Sequence, residues 1–237
     1  MKIRKHSDNL IQLGMWYFPC NCYLVREADG FTLVDTAIYS AKGILAAAQQ
    51  FGLPIKRIAL THAHSDHVGS VDALHAALPD AEISISVRDA RFLHGDMSLD
   101  PDEPQAKLVG GYVIIKTTPT RLFQPGDTIG SLQVLASPGH TPGHVAFFDP
   151  RDKTLITGDT YNTQAGIVTG GTRRLLFPFH SMATWHKTTT LHSAEAHIKL
   201  NPSRLATGHG PVLTNPVPAM QQAIDEAHRH LDGHPNL

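Results

Sequence analysis

Four short apolar segments of this chain each lead directly into a histidine or an aspartate. Segments of this kind are typical of buried β-strands. Functional side chains in layered folds lie on the loops at strand ends, because the strands are rigid while the loops can vary. The pattern therefore predicts a sheet-based fold with chemically active strand ends. The four segments are IKRIAL before Thr61 and His62, SLQVLAS before His140, KTLITG before Asp159, and SRLATG before His209.

The segment that follows the first of these strands, THAHSDHVG at positions 61–69, contains three histidines and an aspartate. Histidine is the commonest protein ligand for metals such as zinc, and this chain holds 16 histidines. The alternative interpretation is a polar turn that is rich in histidine. Together with the later strand ends, the candidate metal donors are His62, His64, Asp66, His67, His140, Asp159 and His209.

This set of donors is larger than one metal ion needs. A four-coordinate zinc ion with an open position takes about three protein ligands. The full set suffices for two ions that share a bridging carboxylate and hold a hydroxide between them. Nitrogen and oxygen donors without a thiolate suit zinc, iron or manganese better than copper(I). A closed structural metal site is the weaker alternative, because such sites have only four ligands.

The ordered motifs HAHSDH, SPGHTPGH, LITGDT and ATGHGP resemble those of the metallo-β-lactamase superfamily. The resemblance extends from His62 to His209 and covers every position of the family's ligand pattern. It implies an α+β fold, a four-layer αββα sandwich of the metallo-β-lactamase type. It also implies that His62, His64 and His140 hold a first metal ion, that Asp66, His67 and His209 hold a second, and that Asp159 bridges them. The sequence shows no low-complexity linker and no repeat at a fixed period, which predicts a single domain over residues 1–237.

Two positions favour the branch of the family that contains lactonases and glyoxalase-II-type enzymes. Secreted lactamases usually lack an aspartate at the position of Asp159, and flavodiiron members carry glutamate at that of His64. The chain also shows no basic insertion of the kind that tRNA-processing members use. We therefore expect a dinuclear metal-dependent hydrolase with two divalent ions. Zinc is the first expectation for these ions, and iron, manganese or cobalt are the alternatives.

The expected reaction is attack of a bridging hydroxide on a lactone, ester or thioester of a small molecule. Asp66 or Asp159 would take part in proton transfer to the leaving group, and Tyr161 would donate a hydrogen bond to the developing oxyanion. Packing in the core is the equal alternative for Tyr161. A mononuclear iron persulfide dioxygenase and a glutathione thioesterase of the glyoxalase II type are the alternative functions.

Several other residues are expected to support or surround the site. Asp35 and His144 would orient ligand residues. The aromatic segment 175–185 would either pack in the core or line a substrate pocket. In the second case the lining residues would come from Phe177, Phe179, His180, Met182 and Trp185, and Arg173 and Arg174 would be surface charges or a clamp for a substrate carboxylate.

Composition narrows the expected partners to a small-molecule substrate. The formal net charge is −1, so no basic excess favours nucleic acid. No apolar run reaches the length of a membrane span or of a signal peptide, which predicts no membrane partner and a cytoplasmic location. Cys20 and Cys22 are expected to be buried thiols. A Phe-rich loop, if exposed, would provide a contact for a homodimer.

Hydrophobic spacing predicts helices within residues 40–52, 70–80, 184–200 and 217–231. The segment from about Gly95 to Arg121 contains DPDEP and a glycine pair, and we expect an irregular excursion there. Within it, YVIIK at 112–116 is expected to form a strand.

Overall fold

The computed structural model describes residues 1–15 and 20–233. The first sheet has its seven strands in sequential order. They are β1 (Lys2–Lys5), β2 (Leu10–Gly14), β3 (Asn21–Glu27), β4 (Gly30–Val34), β5 (Ile55–Ala59), β6 (Glu82–Ser86) and β7 (Arg121–Phe123). Strands β1 to β4 pair antiparallel, and β4 to β7 pair parallel. After β4 the strands are joined by longer crossover connections instead of hairpins, and parallel pairing requires such connections.

The second sheet has six strands in the order β15-β14-β11-β10-β9-β8, and β12 and β13 form a separate pair. Their bounds are β8 (Thr128–Ile129), β9 (Leu132–Ala136), β10 (Val145–Asp149), β11 (Thr154–Ile156), β12 (Tyr161–Asn162), β13 (Val168–Thr169), β14 (Arg204–Ala206) and β15 (Leu213–Thr214). Within this sheet β11 and β14 pair parallel, so their carboxyl ends lie side by side.

Seven helices occur in the described residues. They are α1 (Ala41–Gln50), α2 (Ser65–Val68), α3 (Val71–Ala77), α4 (Ala90–Leu93), α5 (Phe179–Met182), α6 (Lys187–Ile198) and α7 (Val217–Gly233). The four predicted helices correspond to α1, α3, α6 and α7. None of the helices in the described part of the chain combines the length and apolar character that a bilayer span requires.

Three hydrophobic clusters separate four layers. The first joins α1 and α3 to the first sheet, through residues such as Ile44 and Leu74. The second fills the space between the sheets, where the rings of Phe123 and Phe147 lie 5.8 Å apart. The third joins α6 and α7 to the second sheet, for example at Leu191. The order helix, sheet, sheet, helix confirms the predicted αββα sandwich.

The four strands that were expected to deliver candidate ligands are present. They are β5, β9, β11 and β14, and each ends within a few residues of a candidate ligand. The short loops after them leave little freedom to the ligand-bearing residues. The fold therefore gathers side chains that lie far apart in the sequence.

The prediction of a strand at 112–116 is wrong. Only an isolated bridge between Tyr112 and His64 forms there. The Asp72 carboxylate accepts hydrogen bonds from the backbone N–H groups of Lys116 and Thr117, so these donors are not free for a sheet ladder. The single-domain boundary of 1–237 stays a prediction, and residues 16–19 and 234–237 lie outside the described residues.

Candidate metal centre

Three buried imidazoles converge after strands β5 and β9. His62 Nε2 lies 3.1 Å from His64 Nδ1, and His64 Nδ1 lies 3.0 Å from His140 Nε2. His64 Nε2 donates a hydrogen bond to the Val109 carbonyl oxygen at 3.1 Å, which leaves its Nδ1 with a free lone pair. Three nitrogen atoms so close together have the arrangement of a three-ligand metal site.

A second group of donors lies beside the first. The Oδ2 atom of Asp66 is 3.8 Å from His67 Nε2 and 3.4 Å from His209 Nε2. His67 belongs to the short helix α2, whereas His209 lies in the loop after β14. This group therefore combines two parts of the chain that are separated by about 140 residues.

The carboxylate of Asp159 lies between the two groups. Its Oδ2 is 3.3 Å from His140 Nε2 and 3.2 Å from His209 Nε2, and its Oδ1 is 3.4 Å from His67 Nε2. Glycine is needed opposite this carboxylate, because a Cβ atom at Gly208 would lie 2.1 Å from Asp159 Oδ1. One side chain thus reaches both groups of donors, as a bridging ligand must.

The donor set fits a pair of divalent metal ions. His67 Nε2 and Asp159 Oδ1 are buried, and neither has a hydrogen-bond partner among the described residues. Buried polar atoms of this kind are rare unless a ligand or an ion satisfies them. The nitrogen and oxygen donors match the preferences of zinc, iron and manganese.

The two groups differ in their electrostatics. Burial lowers the pKa of His64 to about 4, and it holds the pKa values of His62 and His140 well below the usual value. Burial also opposes a charge on His209, but the carboxylates of Asp159 and Asp66 raise its pKa to about 10. The first group is therefore neutral, whereas the second holds protons that a metal ion would displace.

Asp35 holds both the ligand loop and one ligand in place. Its Oδ2 atom lies 2.8 Å from His67 Nδ1, and its Oδ1 accepts a 2.8 Å hydrogen bond from the Thr61 backbone N–H. Because the Asp35 carboxylate engages Nδ1 of His67, Nε2 is the ring nitrogen that faces the other candidate donor atoms. His144 is also where it was expected, since its Nε2 accepts a hydrogen bond from the Asp159 backbone N–H at 3.0 Å.

No sequence motif points to the role of Asp89. This aspartate is fully buried and accepts hydrogen bonds from the Ala63 N–H, the Thr141 hydroxyl and the Gly143 N–H, at 3.0, 2.7 and 2.7 Å. It therefore ties the loop that carries His62 and His64 to the loop that carries His140. A single aspartate in a turn carries no motif that would reveal such a link.

Cys20 lies closer to the centre than the sequence suggested. Its thiol donates to the Asp66 backbone oxygen at 2.9 Å, and its sulfur lies near the donor atoms of Asp66 and His209. Burial, followed by the nearby Asp66 charge, raises the pKa of Cys20 well above its usual value. The buried neutral thiol agrees with the expectation for this residue.

The structure does not bring Tyr161 to the metal donors. Its hydroxyl donates a 2.9 Å hydrogen bond to the Ala194 carbonyl oxygen of α6. The ring is fully buried in the cluster between the second sheet and its helices. The catalytic role that was expected of Tyr161 is therefore corrected to the alternative, a packing residue whose hydroxyl is already engaged.

A cavity of about 200 Å³ opens onto the donors. From the aromatic segment, Phe177, Phe179 and His180 line it. Met182 is 70 % exposed and does not line the cavity, and neither does Trp185, whose Nε1 donates to the Ala106 oxygen. Among the described residues, the lining consists of His64, Ser65, Asp66, Gly111, Asp159, Phe177, Phe179, His180, Ala183 and His209.

Neither Arg173 nor Arg174, which precede the aromatic segment, lines this cavity as a carboxylate clamp would. The Arg174 guanidinium forms a two-pronged ion pair with Glu226 of α7. Arg173 lines a different cavity, of about 400 Å³, together with Lys187 and His230. None of the described residues that line the donor-lined cavity is an arginine or a lysine.

The chain matches the family described as the metallo-beta-lactamase superfamily over residues 15–209. It is 47 % identical over 212 residues to the uncharacterized protein YobT of Bacillus subtilis (strain 168), covering 89 % of this chain and 91 % of that protein. It is 30 % identical over 166 residues to the hydroxyacylglutathione hydrolase GloC of Haemophilus influenzae (strain ATCC 51907 / DSM 11121 / KW20 / Rd), covering 68 % and 73 % of the two chains.

A solved structure with a similar fold carries iron. The crystal structure of TTHA1623 in a di-iron-bound form superposes with a TM-score of 0.65 at 31 % identity, covering 88 % of this chain and 96 % of that one. The DIM-1 metallo-beta-lactamase exposed to ceftazidime superposes with a TM-score of 0.71 at 15 % identity, covering 97 % of both chains, and so it shares the fold. The ligand motifs, the four-layer sandwich and these matches show that the chain belongs to the metallo-β-lactamase superfamily.

Proposed function

We propose that this protein is a dinuclear metal-dependent hydrolase that cleaves an ester-type bond of a small molecule. The observation that carries the proposal is the Asp159 carboxylate, which lies within 3.4 Å of nitrogen donors from both groups. His62, His64 and His140 would hold the first ion, Asp66, His67 and His209 the second, and Asp159 both. Zinc is the proposed metal, and the di-iron-bound relative makes iron the main alternative.

Two bound divalent ions would lower the pKa of water towards neutrality and polarise the carbonyl group of the substrate. The protein residues would then position the substrate and move protons. Asp66 lines the cavity, and its side chain is 24 % exposed, so it can meet a leaving group there. Asp159 is almost fully buried, which suits a fixed ligand better than a proton carrier.

The cavity wall favours a lactone or ester without a negatively charged group. Phe177 and Phe179 supply apolar surface, whereas no arginine or lysine lines the part of the wall that the described chain forms. Of the two arginines expected as a possible carboxylate clamp, Arg174 is already paired with Glu226, and Arg173 lines a different cavity. A thioester remains within the proposed substrate class, because the thioesterase GloC is a relative of this chain.

The proposed partner is therefore a small molecule, with no nucleic acid or membrane partner, in a cytoplasmic protein. We also propose a homodimer, since the loop before α5 and the helix itself expose a group of apolar side chains. Leu175 and Leu176 are each 88 % exposed and Met182 is 70 % exposed. Such a patch is a surface that association would cover.

The test is metal content together with hydrolysis, on protein purified without added metal or a histidine tag. We expect about two equivalents of metal per chain, and hydrolysis of members of a panel of lactones, esters and thioesters. Asp159→Asn keeps the size of the side chain but loses the bridging charge. It should lose most of the bound metal and at least about 100-fold in kcat/KM.

Asp8→Asn is the matched control, because the Asp8 side chain is 94 % exposed and pairs with Lys5 at the surface. It should keep the metal content and activity of the wild-type protein. One equivalent of iron, with oxygen uptake on persulfides and no hydrolysis, would instead support the dioxygenase. Full activity in a metal-free Asp159→Asn protein would contradict the proposed function.

A further inference from the structure

A second cavity, of about 400 Å³, lies beside α5 and is separate from the donor-lined cavity. The turn after β13, the start of α6 and the end of α7 form most of it. Ser181 of α5 also lines it, whereas Phe179 and His180 of the same helix line the donor-lined cavity. In the described part of the chain the two cavities share no lining residue. A ligand in the second cavity would therefore not contact the candidate metal ligands.

Two cationic residues of the second cavity have no counter-ion among the described residues. Arg173 lies in the turn and Lys187 begins α6, and no described carboxylate forms an ion pair with either of them. The adjacent Arg174 differs, because it makes two hydrogen bonds to Glu226. The Glu226 carboxylate also lies 3.5 Å from Nε2 of His230, a third residue of the wall. Positive charges without partners that line one concave surface attract an anion.

A glycine in the turn brings the two cationic residues together. Gly171 has a φ of 90°, and a Cβ atom there would lie 2.6 Å from Lys187 Cγ. Only glycine fits this position without strain, so the lysine stem lies directly against the turn that carries Arg173. The fold thus holds both side chains at the same wall of the second cavity.

Buried hydroxyl groups in the same wall supply a further donor. The Oγ1 atoms of Thr169 and Thr172 lie 3.1 Å apart, and both residues line the second cavity. One hydroxyl donates to the other, so the accepting hydroxyl keeps its own proton for another acceptor. An anion bound between Arg173 and Lys187 would provide such an acceptor.

We propose that the second cavity binds a small molecule that carries a phosphate monoester. Near neutral pH such a group has a charge close to −2, which matches Arg173 and Lys187 together, whereas a carboxylate matches only one of them. Arginine binds phosphate oxygens through two parallel N–H groups, and lysine binds them as a point charge. The volume falls within the range of about 300–1,000 Å³ that is typical of small-molecule sites. A bare phosphate ion would leave much of this space empty, and Ala227 and Leu231 offer apolar surface to an organic part.

The test is a calorimetric titration of the metal-loaded protein at constant ionic strength. The probes are glucose 6-phosphate, its carboxylate counterpart glucuronate, uncharged glucose, and inorganic phosphate. We expect glucose 6-phosphate to bind at one site per chain, at least about tenfold more tightly than glucuronate. Inorganic phosphate should bind more weakly than glucose 6-phosphate, and glucose should not bind. Sedimentation with phosphatidate vesicles measures whether a lipid headgroup is the source of the phosphate instead.

Three variants locate the site. Arg173→Gln and Lys187→Gln should each weaken the binding of glucose 6-phosphate by about tenfold, and the double variant should bind it at least about 100-fold more weakly. Arg229→Gln is the matched control, because Arg229 is an exposed arginine of α7 that does not line the second cavity. It loses the same charge and should bind like the wild-type protein. Metal content should be unchanged in every variant, since none of these residues is a candidate ligand.

The inference goes beyond the proposed function and does not depend on it, because binding is measured without turnover. Affinity that is unchanged in the double variant would overturn it, since the phosphate would then bind elsewhere, for example at the metal ions. Equal affinity for glucuronate, or binding to phosphatidate vesicles without binding of glucose 6-phosphate, would also overturn it. Binding that the double variant loses would support the site even if the protein hydrolyses no ester, lactone or thioester, a result that would overturn only the proposed function.

Discussion

At the scale of single residues, hydrogen bonds behind the ligands decide which ring nitrogen faces the candidate metal centre. The Val109 carbonyl oxygen engages Nε2 of His64, so Nδ1 is the free donor of that ring. The Asp35 carboxylate engages Nδ1 of His67, so Nε2 is free instead. These contacts act before any metal binds, and they reduce the reorganisation that binding requires.

Replacing Asp35 by asparagine should weaken the second metal site. The amide can donate to His67 Nδ1 and so favour the wrong tautomer, in which Nε2 carries the proton. Asparagine tolerates the left-handed backbone of this position, where φ is 59°, so the fold should survive. We expect a loss of 10- to 100-fold in metal affinity, measured by competition with a chromophoric chelator. An unchanged affinity would show that Asp35 does not set the tautomer.

Asp102→Asn is the control for this measurement, since Asp102 is an exposed residue of the 95–121 segment. Like Asp35→Asn, this variant replaces a carboxylate by an amide and removes one negative charge. Asp102 does not contact a candidate ligand. The metal affinity of this variant should equal that of the wild-type protein.

Metal binding should release protons from the second group of ligands. Carboxylate neighbours raise the pKa of His209 to about 10 and that of His67 above its usual value, against the effect of burial. His209 is therefore protonated at pH 7.5 in metal-free protein, and a bound ion must displace its proton. We expect release of at least about one proton per chain and an affinity that rises with pH. Calorimetry in buffers of different ionisation enthalpy measures the number, and zero protons would contradict the assignment.

At the scale of secondary-structure elements, the centre depends on loops that are tied to one another. Asp89 precedes α4, yet it bonds to loops that follow β5 and β9. The strands place the ligand loops roughly, and this buried carboxylate fixes the distance between them. Because Asp89 holds these loops together, they can be short and still meet across the two sheets.

Removing the Asp89 carboxylate should loosen this junction. Asp89→Ala leaves buried N–H and hydroxyl groups of Ala63, Thr141 and Gly143 without an acceptor. The expected loss is roughly 3 kcal/mol in the free energy of unfolding, seen in urea titrations. Asp80→Ala, an exposed control two residues before β6, should cost almost nothing. A cost below about 0.5 kcal/mol for Asp89→Ala would refute the bracing role.

At the scale of the whole molecule, metal binding and folding should be coupled. The donors come from both sheets, so unfolding disperses them and metal binds the native state alone. At a free metal concentration about 1,000 times Kd, the metal-bound protein should be more stable to unfolding than the metal-free protein by about 4 kcal/mol per site. Chelation should therefore lower Tm by roughly 8 °C or more, and added zinc should restore it. A Tm that does not respond to chelation would argue against a bound metal in the native protein.

The sequence by itself determined the seven candidate ligands and, through the resemblance that their ordered motifs carry, the αββα fold class. The ligands are local signals, since their motifs follow apolar strands within a few residues, as His62 follows β5. A regular strand and a short loop then leave few positions for the side chain. For the same reason, the helices with clear apolar spacing were predicted close to their observed bounds.

Only the tertiary structure decided what surrounds those ligands. Asp89 meets Thr141 across 52 residues, and His180 meets the Asp159 carbonyl across 21. The hydroxyl of Tyr161 is taken by the Ala194 carbonyl, 33 residues away. No periodicity or motif encodes such contacts, because they depend on how separate elements pack against each other. The candidate ligands are thus a property of strand ends, whereas the contacts that support them and the cavity wall depend on how the sandwich packs.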